Sequence, residues 1–399
     1  MPLTLSKRCL EIAPSMTLAI DARAKELKAQ GVDVVGFGAG EPDFDTPEYI
    51  RDAAKHALDA GMTRYTPVSG TLHLREEICT KLQCDNNLTY TPAQVIVTTG
   101  AKQALFNALS AIVNPGDEVL LPSPCWVSYP EMIRMAGGVP VMVPGDEDQN
   151  FLAGRAEIEP YVTEKTKALI LNSPNNPNGC VWPREMLEGI ADLAVEKGFY
   201  VISDEIYEKL VYDDVKHVSI ASLGEAIKEQ TIVVNGVSKT YAMTGWRLGY
   251  AAGPLSVIKA MTSFQSHSTS NANSIAQYAT AVALTQGEQV LQEMIHEFDV
   301  RRRLMYSRIN RIEGLKSHLP KGAFYMMLNI SGLIGKKWQG QEIKDSMSFA
   351  DILLTAKNVA MVPGIAFGAE NYMRLSYATS QAQINKGMDR LEEFVSELE

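Results

Sequence analysis

The stretch Thr231-Ile232-Val233-Val234-Asn235-Gly236-Val237-Ser238-Lys239 carries an apolar run, a turn signal and a serine–lysine pair, and Arg247 follows eight residues after the lysine. A short apolar run closed by Asn-Gly reads as a buried strand. The lysine then lies just beyond the strand's carboxyl end, among small residues. Partial removal from water lowers a lysine's pKa and keeps some of its amine neutral, so it can attack a carbonyl and form a Schiff base. Ser238 and Arg247 add a hydroxyl and a fixed cation, which together suit a phosphate.

The strand-then-connection pattern repeats on both sides of this stretch. Strands are expected near 94–99, 118–121, 139–143, 168–172, 199–203, 231–235 and 247–252, with helices clearest at 102–112, 184–197 and 254–264. Such alternation builds βαβ units, and hence a mostly parallel seven-stranded sheet covered by helices. Ligands of such sheets bind beyond the carboxyl ends of the strands. After about residue 287 the pattern changes. A long amphipathic helix (about 288–312) is followed by short strands near 359–362 and 372–376 and helices at 348–356 and 381–397.

The expected class is therefore α/β. A large domain spans 48–287, and a smaller α+β domain is made of 14–47 and 288–399. Residues 1–13 read as an N-terminal arm without structure of its own. Ser15 is expected to cap a helix running to about Gln30, Val32 to Phe37 to form a short strand, and Pro47 to open a helix in its first turn.

With 399 residues, 46% hydrophobic and 21% charged, the composition is that of an ordinary globular protein. A net charge of −10 with scattered basic residues argues against nucleic acid or an anionic membrane as partner. No apolar run approaches membrane-spanning length, and the start, with Lys7, Arg8 and Glu11, does not read as a signal peptide. Five cysteines without a Cys-x-x-Cys spacing read as reduced thiols of a cytoplasmic protein, and no metal site is expected.

Other strand ends carry chemistry of their own. Asp204 ends the apolar run from Tyr200, where a buried carboxylate needs a partner. A cationic ring would serve, and a helix cap followed by Glu205 is the other reading. Gly100-Ala101-Lys102 follows a strand and opens a helix, either an anion site or an ordinary turn. Trp126 in Pro124-Cys125-Trp126 is either core or a stacking surface. Arg374 stands inside the apolar run Tyr372-Met373-Arg374-Leu375, and its planar fork suits a carboxylate. Asn176 lies in the proline-rich turn Ser173-Pro174-Asn175-Asn176-Pro177, and Gly40 in the loop Gly38-Ala39-Gly40-Glu41-Pro42.

In this order the segments resemble the class I aminotransferases, pyridoxal-phosphate enzymes of fold type I, over essentially the whole chain. The resemblance implies that Lys239 holds pyridoxal 5'-phosphate and serves as the general base of transamination. It implies that Asp204 keeps the pyridine nitrogen protonated, and that Tyr207 and Asn176 touch the phenolic oxygen. Gly100, Ala101, Ser238 and Arg247 would form the phosphate cup, and Trp126 would lie flat on the ring. Tyr65 would reach the phosphate of the neighbouring subunit, which implies a homodimer. Arg374 would grip the substrate's α-carboxylate, assisted by the Gly40 backbone and Asn176. Asn178 stands where the family's signature usually has threonine.

Ser15 and Lys102 resemble the bacterial-type aspartate aminotransferase branch, in which a residue near the N-terminus and this lysine hold the distal carboxylate. The implied reaction moves the amino group of L-aspartate to 2-oxoglutarate, giving oxaloacetate and L-glutamate. Broader specificity (aromatic, alanine or prephenate) and a lyase on the same fold are the alternatives. Many relatives have a basic residue where this chain has Ala13, which disfavours prephenate. Gly36-Phe37-Gly38-Ala39-Gly40 runs into Glu-Pro, which does not open the helix of a dinucleotide fold. No N-terminal helix-turn-helix supports a DNA-binding regulator.

Overall fold

The computed structural model describes residues 4–14 and 16–399. Seven strands form its central sheet: β1 (Val95–Thr98), β2 (Glu118–Ser123), β3 (Val139–Pro144), β4 (Thr166–Asn172), β5 (Tyr200–Asp204), β6 (Thr231–Gly236) and β7 (Gly249–Ala252). Their order across the sheet is β1-β7-β6-β5-β4-β2-β3. Strands β2 to β6 run parallel, and β7 is antiparallel to both of its neighbours. The seven strands fall where the apolar runs placed them. Only β7 starts later than expected, because the turn Thr244–Trp246 leaves Arg247 in the left-handed region at φ 55°.

The packing explains the unbroken apolar runs. Ile232 and Val234 of β6 join one apolar layer with Leu105 and Leu109 of the helix Ala101–Ile112. Val233 joins the opposite layer with Leu74 and Ile78 of the helix Leu72–Asn86. Successive strand side chains point to opposite faces, so a strand covered on both must be apolar at every position. The helix Arg184–Lys197 covers Leu169, Leu171 and Val201 in the same way.

Beyond the long helix Glu288–Ile309, a four-stranded antiparallel sheet runs in the order Val362–Pro363, Tyr372–Ser376, Tyr325–Asn329, Lys316–Ser317. Its apolar side shares a core with Phe298 and Leu391. Val35–Gly36 pairs in parallel with Val359–Ala360, which ties the start of the chain to this sheet's neighbourhood. The expected strand from Val32 to Phe37 is reduced to those two residues. The helices Ser346–Lys357 and Gln381–Ser396 complete this part.

The beginning of the chain differs from expectation. The supposed unstructured arm holds a short helix, Lys7–Glu11, because the Ser6 hydroxyl caps it by accepting from the Cys9 N–H at 3.3 Å. Ser15 lies outside the described residues, and the helix it was expected to cap runs Met16–Ala29. Pro47 is the cap of the next helix, which begins at Glu48. Among the described residues no helix is long and apolar enough to cross a membrane.

Candidate active site

A cavity of about 650 Å³ opens at the carboxyl ends of β4, β5 and β6, and Trp126, Asn176, Asp204, Tyr207, Lys239 and Arg374 line it. Residues far apart in the chain meet here because parallel strands end on one side of the sheet. Gly40, Ala101, Lys102, Ser238 and Arg247 line it too.

Lys239 follows the end of β6 on a tight turn. Tyr241 N–H donates to Val237 O at 3.2 Å, and Met243 N–H to Ser238 O at 3.1 Å. Ala242 takes a positive φ of 50° within the turn. The Thr46 hydroxyl fastens it from outside, donating to Ala242 O at 2.7 Å and accepting from the Trp246 indole N–H at 3.0 Å. The Lys239 ammonium donates to the carbonyl of Gly40. Burial lowers its pKa to about 8; Glu41 opposes the shift, and Arg374 and Arg247 reinforce it. A pKa near 8 leaves roughly a tenth of the amine neutral at pH 7, enough for a nucleophile or base.

Asp204 is 3% exposed, at the end of β5. Its Oδ1 accepts from the Ile206 N–H at 3.2 Å and its Oδ2 from the Tyr129 hydroxyl at 2.7 Å. No ion pair reaches it among the described residues. Burial pushes its pKa up to about 6, against the Tyr129 and Ile206 hydrogen bonds that hold it down. A turn rather than a helix follows Asp204, so it caps no helix. Tyr207 is buried, and its hydroxyl lies 3.0 Å from that of Tyr325.

At the start of the helix Ala101–Ile112, Gly100 has φ 81°. A β-carbon there would lie 2.4 Å from Nη2 of Arg247. The arginine is held from its other side by Thr244 O, which accepts from Nη1 at 2.9 Å. Ala101 at the helix start, Ser238 and Arg247 all line the cavity, and free backbone N–H groups, a hydroxyl and a guanidinium are groups that suit an anion.

Arg374 is 2% exposed in its strand. Its Nη1 donates to Asn176 Oδ1 at 3.1 Å and its Nη2 to Gly38 O at 2.8 Å, while Nε is buried without a partner. The guanidinium lies 4.5 Å from the Tyr325 ring centre and 5.0 Å from that of Phe367. Burial lowers its pKa. A buried cation with no ion pair among the described residues favours an anionic ligand.

Lys102 projects over the Trp126 ring, 4.7 Å from its centre. Burial and the nearby Arg247 lower its pKa. Tyr65 stands away from this cavity on the surface, 91% exposed. Sequence reasoning missed Tyr129, Tyr325, Glu41 and Lys25, all of which line the cavity. Tyr129 lies three residues after Trp126, and Tyr325 lies in the apolar run Phe324-Tyr325-Met326. For Tyr325 the available signal was a polar tip on an otherwise apolar segment.

The sequence pattern of the aminotransferase class I and II family matches residues 32–391. The chain is 47% identical to the aspartate aminotransferase of Bacillus sp. (strain YM-2), over 98% of this chain and 99% of that protein. It is also 47% identical to the aspartate/prephenate aminotransferase of Thermus thermophilus, over 97% of each. Among solved structures it is similar to the aspartate aminotransferase of Rhizobium meliloti, with a TM-score of 0.97, 40% identity and full coverage of both chains. The Thermus thermophilus aspartate aminotransferase solved with maleate superimposes with a TM-score of 0.93 at 45% identity, over 98% of this chain and 100% of that one.

Proposed function

The chain belongs to the class I and II aminotransferase family, and from that premise we propose that it moves the amino group of L-aspartate to 2-oxoglutarate, giving oxaloacetate and L-glutamate. It is a pyridoxal-phosphate-dependent transaminase of fold type I. The observation that carries the substrate reading is the pair of cations on one cavity, Arg374 in its floor and Lys102 over Trp126. Two separated cations suit a short dicarboxylate, and a relative of the same fold was solved with maleate.

The residues present fit the cofactor. Asp204 is a buried carboxylate that no cation reaches among the described residues, and a protonated ring nitrogen would satisfy it. The close approach of Gly100 to Arg247 leaves backbone and guanidinium exposed to a phosphate. When bound, pyridoxal phosphate supplies an aldehyde carbon and an electron-accepting ring. Gly100, Ala101, Ser238 and Arg247 would hold its phosphate, Trp126 its face, and Asn176 and Tyr207 its phenolic oxygen.

Lys239 Nζ, whose pKa is already lowered by burial, would serve as the general base that takes the substrate's α-proton. Arg374 fixes the α-carboxylate so that the proton faces this amine, with the Gly40 backbone beside it. Lys102 would hold the distal carboxylate, with Ser15 as its companion on the N-terminal side. The same residues serve both half-reactions in turn, first on the amino acid and then on the oxo acid.

Three further assignments belong to this reading. Residues 48–287 are the cofactor-binding domain, and 14–47 with 288–399 the smaller one. This is supported by the core that Val35, Phe37 and Phe298 share with Leu391. The enzyme is a homodimer in which Tyr65 reaches the neighbouring site, supported by an aromatic side chain left 91% exposed. It works in the cytoplasm, supported by five thiols that are all free.

Prephenate ranks second to aspartate because Ala13 brings no cation toward the cavity. Product analysis tests the whole reading. Oxaloacetate formed from aspartate in step with glutamate supports it, whereas ammonia or pyruvate as product points to a lyase.

A further inference from the structure

We propose that Asn178 is a positioning residue for Arg374: through the loop 146–152 it sets where the arginine's strand stands, and so how well the cavity grips a carboxylate. Asn178 is 2% exposed. Its Oδ1 accepts from the Cys180 N–H at 2.9 Å, which closes its own turn. Its Nδ2 donates to Asn150 O at 3.0 Å, and Asn150 Nδ2 donates back to Asn178 O at 3.3 Å. The turn needs only the first of these bonds. A threonine, the residue usual at this place in the family's signature, would supply an acceptor for it. The reciprocal amide pair needs the longer side chain and serves something other than the turn.

It serves the loop that follows β3. Asn150 and Phe151 have φ 56° and 64°, two successive left-handed residues without a glycine. Such a backbone persists only where its surroundings hold it. The bend brings the Phe151 ring, 6% exposed, edge-to-face onto Tyr372 at 4.9 Å and 75°. The loop also fixes the other end of that tyrosine, whose hydroxyl donates to Glu147 Oε2 at 2.8 Å. Phe151, Tyr372 and Met327 belong to one small apolar cluster.

That cluster flanks Arg374. Tyr372 and Arg374 stand two apart in the strand Tyr372–Ser376, so their side chains share a face. Met327 is the direct partner of Arg374 on the neighbouring strand. The guanidinium is thus bordered by the cluster both along its strand and across the sheet. Asn176, two residues before Asn178, accepts from its Nη1 at 3.1 Å. One turn therefore acts on the arginine twice, by a direct bond from Asn176 and through Phe151 from Asn178.

The inference rests on reading Arg374 as the grip for the substrate's α-carboxylate, and the test separates the two ideas. It uses the enzyme loaded with pyridoxal phosphate. Asn178→Thr keeps an acceptor for the Cys180 N–H and loses the amide pair. Phe151→Leu keeps an apolar side chain and loses the ring on Tyr372. Each should raise KM for aspartate about fivefold, and KM for phenylalanine by the same factor, since both substrates carry an α-carboxylate. Both kcat and the affinity for pyridoxal phosphate should stay within about twofold, a split that a general loss of structure would not give. Added to Arg374→Lys, either substitution should change KM by less than about twofold, because the grip it tunes is already lost.

An unchanged KM in Asn178→Thr would overturn the proposal, and Phe151→Leu decides in the same way if the first variant does not fold. A rise for aspartate alone would overturn it too, as would the full rise in the Arg374→Lys background. Arg374→Lys with an unaltered KM would instead remove the reading of Arg374 itself, and this proposal with it.

Discussion

Gly100 and Arg247 share one space: a β-carbon on the glycine would stand 2.4 Å from the arginine's Nη2. The contact joins the start of one helix to the turn that follows the lysine, at the corner proposed to take the phosphate. Gly100→Ala should push the guanidinium aside and strain a backbone at φ 81°, at a cost of about 1 kcal/mol or more in stability. Pyridoxal-phosphate affinity, read by fluorescence titration of the cofactor-free protein, should fall by about tenfold or more. Unchanged affinity would mean that the guanidinium does not contact the phosphate.

The raised pKa of Asp204 makes a prediction about stability as well as activity. In the cofactor-free protein its folded value of about 6 lies above the ordinary 3.8. Its contribution to stability is therefore present at low pH and is lost as pH rises through that window. Thermal unfolding of the native protein minus that of Asp204→Asn should show this loss between about pH 4 and 6. A flat difference across the window would show that the carboxylate is already compensated without cofactor.

Arg374→Lys keeps a charge but loses the planar fork. The substitution leaves Asn176 Oδ1 or Gly38 O without its donor, and only one contact remains for a carboxylate. Loss of one charge-assisted bond is worth about 1.5–3 kcal/mol, so kcat/KM for aspartate should fall roughly ten- to hundredfold, mainly through KM. An unaltered KM would place the α-carboxylate elsewhere.

Lys102→Ala separates substrates. The ammonium stands 4.7 Å from the Trp126 ring centre, and the proposed reading gives it the second carboxylate. KM for aspartate should rise about tenfold, while KM for phenylalanine changes little. Equal effects on both would take the distal carboxylate away from this residue.

The large sheet was legible because each of its strands is apolar on both faces, as Ile232, Val233 and Val234 show by dividing between two layers. Arg374 was legible for the same reason, a lone cation in a strand with no polar face. Tyr129 and Tyr325 were not, because a lone tyrosine can be core or site until the residue opposite its hydroxyl is known. The Asp204 carboxylate lies 75 positions from Tyr129, and Tyr207 lies 118 from Tyr325. The short helix Lys7–Glu11 escaped because one capping serine, not an apolar stripe, marks it.

Thr46 binds two loops with one hydroxyl, touching both the main chain of Ala242 and the indole of Trp246. The segment that carries Gly40 is thus clamped to the turn that carries Lys239. The helix Met16–Ala29, which borders the cavity through Thr17 and Lys25, lies on the far side of that clamp. A substitution at Thr46 therefore disturbs the Lys239 turn and the Gly40 loop together, from a position outside the cavity lining.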